Sequence, residues 1–410
     1  MLGGFREPIV NVNHDRDVLV WSPPDRLRVT DIEGWLEEAV TAPGTEIRLG
    51  ALRRAEPRAE SLLQSAILRL QRAGVAVKFS VPPLTFAAGR TARASAAEPD
   101  EPVEPMTPTE GLLAGSVTGV TIALLCEPLD EHAERAVSHV RDRLKAQKGE
   151  WGRGLQSSRI ETQSIPGIRS STWPSSRVAS RDAIAEQLVE MTSSLLGVAK
   201  TNLMGDRISR WLVDFAFEAI LNARTHGRVG LKGVDLTSLR TLSLRRHNLH
   251  DRSLVDVFGR PEAEFGDFAR CVSRRKPKQM LECVVSDGGI GVPARMARNL
   301  EIYSAFPEAE RQLVQEAMWP GWTTDTVRSL ESGEGFRMML RASARLHGYF
   351  EIRTGRQDLT RHYLREDGEP IAAEFSDRPP DDPVFALSGR SSQPYVAGTV
   401  LTLVFPVETD

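Results

Sequence analysis

The sequence predicts an α/β protein with a small N-terminal α/β domain and a C-terminal two-layer α/β sandwich. Three observations carry this expectation. Short apolar runs alternate with helix-patterned stretches between residues 17 and 82. A stretch rich in Ala, Pro, Glu and Thr interrupts that pattern at 86–110. The C-terminal half then alternates differently, with sheet strands and helices that suit a two-layer sandwich. The 410 residues, 40% hydrophobic and 26% charged, suffice for two or three domains with substantial cores.

In the first domain (1–85), "DVLVW" (17–21) is a short apolar strand and "VTDIEGWLEEAV" (29–40) a helix with Thr30 or Asp31 as its N-cap. "TEIRLG" (45–50) alternates like a strand, and "ESLLQSAILRLQRAG" (60–74) is an amphipathic helix stopped by Gly74. "VAVKFSVP" follows as another strand. This strand–helix order and the "RAGVAVKFSVP" ending resemble a STAS-like domain, the fold of anti-sigma-factor antagonists. Residues 86–110 form a flexible linker.

An intermediate α/β region (111–199) holds a strand at 117–128, a charged helix at 129–147, a polar loop over 148–180 and a helix at 180–197. Ser180 is the capping candidate of that last helix, with Glu186 and Glu190 on its solvated side. Within 200–410, a helix spans about 207–225, and "LRTLSLRRHN" and "MLECVVSDGG" are strands on either side of a partly helical insertion. A polar, helical region (295–332), a helix (335–347), the strand "YFEIRTG" and a last strand "GTVLTLVFPV" complete the pattern. Helices on one side of these strands make the two-layer sandwich.

A formal net charge of -3 gives no electrostatic reason to expect a nucleic-acid or membrane surface. The basic runs "SRRKPK" (273–278) and "LRRH" (244–247) are expected to be solvated faces. Three scattered cysteines (Cys126, Cys271, Cys283) fit neither a disulfide scaffold nor a zinc site, and read as reduced thiols of a cytoplasmic protein. No basic-then-apolar signal opens the sequence. "GLLAGSVTGVTIALLC" (111–126) is shorter than the roughly 20 residues a membrane span needs and reads as a loop entering a buried strand.

Four short motifs carry chemistry. "EAILNARTHG" (218–227) places Glu218, Asn222 and His226 at four-residue intervals, drifting only roughly 80° around a helix. That polar stripe on an otherwise apolar helix is either a solvated face or the lining of a site. "VVSDGGIGVP" (284–293) ends an apolar strand in Asp287-x-Gly289-x-Gly291, where a carboxylate can accept a hydrogen bond from an exocyclic amine above a tight turn. "SGEGF" (332–336) sets Gly333 and Gly335 before a helix, so that backbone N–H groups can approach phosphate oxygens. "GTVLTLVFP" (398–406) opens the terminal strand with Gly398 and Thr399.

In this order the four motifs resemble those of the GHKL ATPase superfamily (gyrase, the heat-shock chaperone ATPase, histidine kinases, the mismatch-repair ATPase), which has the Bergerat ATP-binding fold. The resemblance covers roughly residues 200–407. It implies ATP and Mg2+ as ligands. Glu218 resembles the catalytic carboxylate that orients or deprotonates the attacking group, and Asn222 the magnesium ligand. Asp287 resembles the adenine-reading carboxylate, with Gly289 and Gly291 on the pocket floor. Gly333 and Gly335 would hold phosphates, and Thr399 would support the adenine side. Residues 294–332 occupy the place of a mobile ATP lid, in which Arg295 and Arg298 read as exposed charges.

"EAILNARTHG" is closest to the N box of anti-sigma-factor serine kinases. The insertion at 228–280 and the residues Arg224 and Thr225 depart from that group. The resemblance therefore implies an ATP-hydrolysing conformational switch acting on a regulatory protein partner, without membrane or nucleic acid and with a homodimer allowed. The alternatives are an anti-sigma-type serine/threonine kinase and a non-hydrolysing nucleotide-binding module.

Overall fold

The computed structural model describes residues 10–13, 18–24, 26–48, 54–55, 57–80, 156–163, 181–197, 207–227, 230–231, 238–249, 263–318, 334–371 and 387–407. The linker expected at 86–110, the strand and helix expected at 117–147, and residues 319–332 of the expected lid lie outside the described residues.

The chain folds as a mixed α/β structure with one mainly parallel and one antiparallel sheet. In the first, strands β1 (Val10–Asn13), β2 (Val18–Trp21), β4 (Gly44–Arg48) and β6 (Ala76–Ser80) run in the order β1-β2-β4-β6. Strand β1 is antiparallel to β2, and the remaining pairs are parallel. Two-residue strands β3 (Arg26–Leu27) and β5 (Arg54–Ala55) pair separately. Helix α1 (Val29–Ala39) begins earlier than expected. Its N-cap is Arg28, and Asp31, at the third helical position, accepts the Arg28 N–H at 2.8 Å. Helix α2 (Pro57–Arg72) is stopped by Gly74, whose φ of +79° suits glycine. Trp21 and Trp35 stack at 4.6 Å in this core, where Thr45 bridges the Trp35 indole N–H to the Leu19 carbonyl.

Among the described residues the second sheet has seven antiparallel strands in the order β12-β11-β10-β13-β9-β8-β7. They are β7 (Gln156–Gln163), β8 (Ser238–Asn248), β9 (Gln279–Asp287), β10 (Tyr349–Gly355), β11 (Gln357–His362), β12 (Ser388–Arg390) and β13 (Val396–Val407). Strand β7 corrects the loop expected over 148–180. "QSSRIETQ" lacks an apolar face, and edge pairing through the backbone of β8 defines it as a strand. On one face, register partners such as Leu242, Val285, Leu401 and Ile352 meet helices α3 (Arg181–Leu196), α4 (Arg207–His226) and α8 (Gly335–Arg345). Helix α4 forms because Leu212, Phe215, Ala216, Ala219, Ile220 and Ala223 recur at helical spacing and are buried. Phe215 meets Phe350 edge-on at 6.3 Å, each buried ring stabilising the layer by roughly 1.5–3 kcal/mol.

The opposite face is covered too, so the C-terminal sheet lies inside more than two layers. Helix α5 (Ala263–Arg275), within the stretch expected to be an insertion, packs Phe265 and Phe268 onto Met280, Tyr349 and Val404. Helix α2 of the N-terminal unit lies against β13, β9 and β8. A balanced buried network joins the two units. Arg58 pairs with Glu351 and, at 3.0 Å, with Asp358; Arg390 pairs with Asp358 at 2.7 Å; and Arg353 lies 3.7 Å from Glu33. Burial alone would raise the Asp358 pKa, but Arg58 foremost, the Glu351 hydrogen bond, Arg353 and Arg390 hold it well below the usual carboxylate range. "LRRH" is part of β8 rather than a solvated run, with His247 buried 2.9 Å from Glu282.

Among the described residues no helix is long and apolar enough to cross a membrane.

Candidate functional site

Asp287 ends β9, where its cross-strand partners are Arg240 on one side and Thr399 on the other. Its carboxylate accepts the Gly289 N–H at 2.8 Å and the Thr399 backbone N–H. Burial pushes its pKa up to about 6, against the opposing pull of the Gly289 N–H, Arg240, Arg72 and the Thr399 N–H. A carboxylate offers about four acceptor positions, so two backbone donors leave capacity for a further one.

Glycines crowd this carboxylate. A Cβ on Gly227, the residue after α4, would stand 2.5 Å from the Asp287 Cβ. One on Gly289 would stand 2.6 Å from the Gly227 Cα, and one on Gly398 would stand 2.0 Å from the Asp287 carbonyl oxygen. Gly291 has a φ of +82° and caps helix α6 (Val292–Ala297), and a Cβ there would meet the Tyr303 hydroxyl at 2.5 Å. Behind it, the Thr354 hydroxyl donates to the Gly398 carbonyl and accepts the Val292 N–H, both at 3.0 Å. Thr399 Oγ1 lies 3.3 Å from Thr354 Oγ1 and is thereby tied into the same network.

The second half of the site lies upstream on α4. A Cβ on Gly335 would stand 3.2 Å from Glu218 Oε2, 3.2 Å from Asn222 Nδ2 and 3.4 Å from Asn222 Oδ1. Gly335 opens α8, whose N-cap Glu334 makes no side-chain cap hydrogen bond. Asn222 Nδ2 is buried and has no hydrogen-bond partner among the described residues. Burial raises the Glu218 pKa, with Arg181 opposing.

Helix α4 therefore joins two clusters. Its end meets Asp287 and Gly289, which in turn adjoin Gly398 and Thr399; Glu218 and Asn222 meet Gly335. From Asn222 to Gly227 the rise is about 8 Å. Gly333 lies outside the described residues.

Arg295 is not an exposed lid charge. Half-buried, it donates to the His226 carbonyl at 2.8 Å and closes the C-terminal end of α4. Arg298 is exposed and left-handed at φ +51°. After it, a short 3-10 turn (Leu300–Ser304) and helix α7 (Pro307–Ala317) are anchored by buried Glu310, which accepts the Arg356 N–H at 2.9 Å and pairs with its guanidinium.

Sequence reasoning missed Arg240, Thr354 and Arg72. Strand pairing brings Arg240 and Thr354 to the site from positions without a motif. Arg72 arrives from the N-terminal unit, donating to the Gly289 carbonyl at 2.7 Å and to the Gly288 carbonyl.

Comparison with protein-family models, curated proteins and solved structures finds no significant match to this chain.

Proposed function

We propose that this chain binds Mg-ATP in a GHKL-type site and acts as an ATP-hydrolysing conformational switch on a protein partner. The observation that carries the reading is the shared helix: Gly227, just past the C-terminus of α4, packs against Asp287, and Glu218 and Asn222, one to two turns upstream on α4, lie beside Gly335. A purine amine donating to Asp287 and phosphates reaching the α8 N-terminus would lie along that helix.

The residues present fit such a ligand. The Asn222 Nδ2, buried without a hydrogen-bond partner among the described residues, is an unused donor for a phosphate oxygen, and it sits against Gly335, where a Cβ would crowd it. Asn222 would hold magnesium together with phosphate oxygens, and the ion would supply charge neutralisation on those oxygens. Glu218, its pKa raised by burial, is suited to accept a proton from an attacking water or hydroxyl. Asp287 orients the base, and the glycines admit the ligand close to the backbone.

The test is a magnesium-dependent ATP titration of wild type, Asp287→Asn and Asn222→Ala. Affinity is expected to fall about tenfold in each variant, from lost base recognition in the first and lost metal in the second. Unchanged affinity in both refutes the site. Labelled ATP then distinguishes the activities. Inorganic phosphate alone supports the switch, and label on a partner Ser or Thr supports the kinase. Glu218→Gln should keep binding and lose turnover by about a hundredfold; binding without turnover in wild type identifies a nucleotide-holding module.

A further inference from the structure

The last turn of α2 reaches the glycine turn after Asp287 from the N-terminal unit. Arg72 donates one guanidinium nitrogen to the Gly289 carbonyl at 2.7 Å and the other to the Gly288 carbonyl. Arg69, one turn earlier, donates to the Tyr395 carbonyl at 2.6 Å and lies 5.1 Å over the Tyr395 ring. Tyr395 packs on Tyr303 at 4.4 Å, and the Tyr303 hydroxyl donates to the Ile290 carbonyl at 2.5 Å. Three successive carbonyls, 288 to 290, are thus held by side chains from outside the turn.

One of these contacts bears directly on chemistry. The peptide between Gly288 and Gly289 is a rigid plane whose carbonyl and N–H point in opposite directions. Arg72 holds its oxygen, and Asp287 Oδ1 holds its N–H at 2.8 Å. The orientation of that peptide, and with it one hydrogen bond of the Asp287 carboxylate, depends on a side chain from another unit. A guanidinium suits this task, because its planar fork engages two carbonyls at once, which a lysine ammonium does not reproduce.

We propose that Arg72 is a positioning residue of the nucleotide site, so that docking of the N-terminal α/β unit and occupancy of the site by a purine nucleotide are linked. This rests on the Mg-ATP reading above. Linkage is reciprocal: whatever displaces α2 weakens nucleotide binding, and nucleotide strengthens the hold on α2 by the same factor. A partner competing for the α2 face would thereby release nucleotide, and nucleotide would oppose that partner.

The experiment compares full-length wild type, Arg72→Ala, Arg72→Lys, Arg69→Ala, Asp287→Asn and Asn222→Ala by Mg-ATP titration, thermal melting and amide hydrogen exchange. Arg72→Ala is expected to weaken Mg-ATP about tenfold and to speed exchange over 287–291. Arg72→Lys should fall between it and wild type, and gives the answer should the alanine variant fail to fold. Arg69→Ala, which does not touch the 288–289 peptide, should lower Tm while keeping affinity within about twofold. In wild type, Mg-ATP should slow exchange over 57–72. Affinity within about twofold of wild type in both Arg72 variants, with Asp287→Asn weakened, overturns the positioning role alone. Equal losses in the Arg69 and Arg72 variants overturn it as well, since they indicate general loosening. Wild-type affinity in Asp287→Asn and Asn222→Ala overturns the nucleotide reading and this proposal with it.

Discussion

Replacing Asp287 by Asn should make the ligand-free protein more stable. The Asp287 pKa rises from an ordinary 3.8 to about 6 on folding, chiefly through burial. About two units at ~1.4 kcal/mol each give ~3 kcal/mol as the cost of keeping this carboxylate ionised in the folded chain at neutral pH. The sign follows from the direction of the shift. A carboxyl whose pKa is raised by folding contributes stability that is complete below about 4 and is lost as pH rises through about 6. Asn is a neutral isostere whose Oδ1 still accepts the Gly289 N–H, so it avoids that cost. Thermal melting without nucleotide should therefore show Asp287→Asn above wild type at pH 7.5 by a few °C or more, with the gap closing as pH falls from 6 toward 4. The same variant loses Mg-ATP affinity, the expected exchange of stability for function at a binding site. A variant less stable than wild type at pH 7.5, or a gap that persists at pH 4, would refute this account of the carboxylate.

Three further substitutions test the packing. Gly227→Ala places a Cβ 2.5 Å from Asp287 and 2.6 Å from the Ala223 carbonyl, so the end of α4 must shift; a loss of about 1–3 kcal/mol is expected, read as a lower Tm. Gly266→Ala in helix α5 meets nothing within 4 Å and should raise Tm, by up to about 1 kcal/mol of stability. Arg58→Met leaves Glu351 buried without its arginine and should destabilise docking of the N-terminal unit by about 3–5 kcal/mol, detected as faster proteolysis between the units.

Elements with strong apolar periodicity were legible in the sequence. Helices α2, α4 and α8 and strands β9, β10 and β13 each repeat hydrophobic residues at their own period over a full element. Strand β7 was not, because a polar edge strand is defined by the backbone of its neighbour rather than by its side chains. Strand β11 ("QDLTRH") was hidden for a related reason. Its polar residues Gln357, Asp358 and Thr360 are buried in networks that sequence does not display. Helix α2 is the most instructive case. Its amphipathic pattern leads one to expect a solvated polar face, yet Arg58, Ser61, Gln64 and Ser65 are all buried. The surface they meet is the polar face of the second sheet, carrying Glu351 and Asp358, so polar packs on polar with paired charges.

The site divides in the same way. Glu218, Asn222, Asp287 and Gly335 stand out because each lies in a short motif whose chemistry shows in residue type. Gly227 and Gly398 belong to those motifs, but their need for glycine comes from contact with Asp287, which only the folded chain reveals. Arg72 lies more than two hundred residues from the turn it holds, on a helix whose arginines look like ordinary surface charge.

The most direct test of the central claim is a structure of the full-length chain with magnesium and a non-hydrolysable ATP analogue. The account predicts the purine amine on Asp287, the phosphates at the start of α8 beside Gly335, and the ion on Asn222. A nucleotide bound elsewhere, with Asp287 and Asn222 untouched, would contradict it.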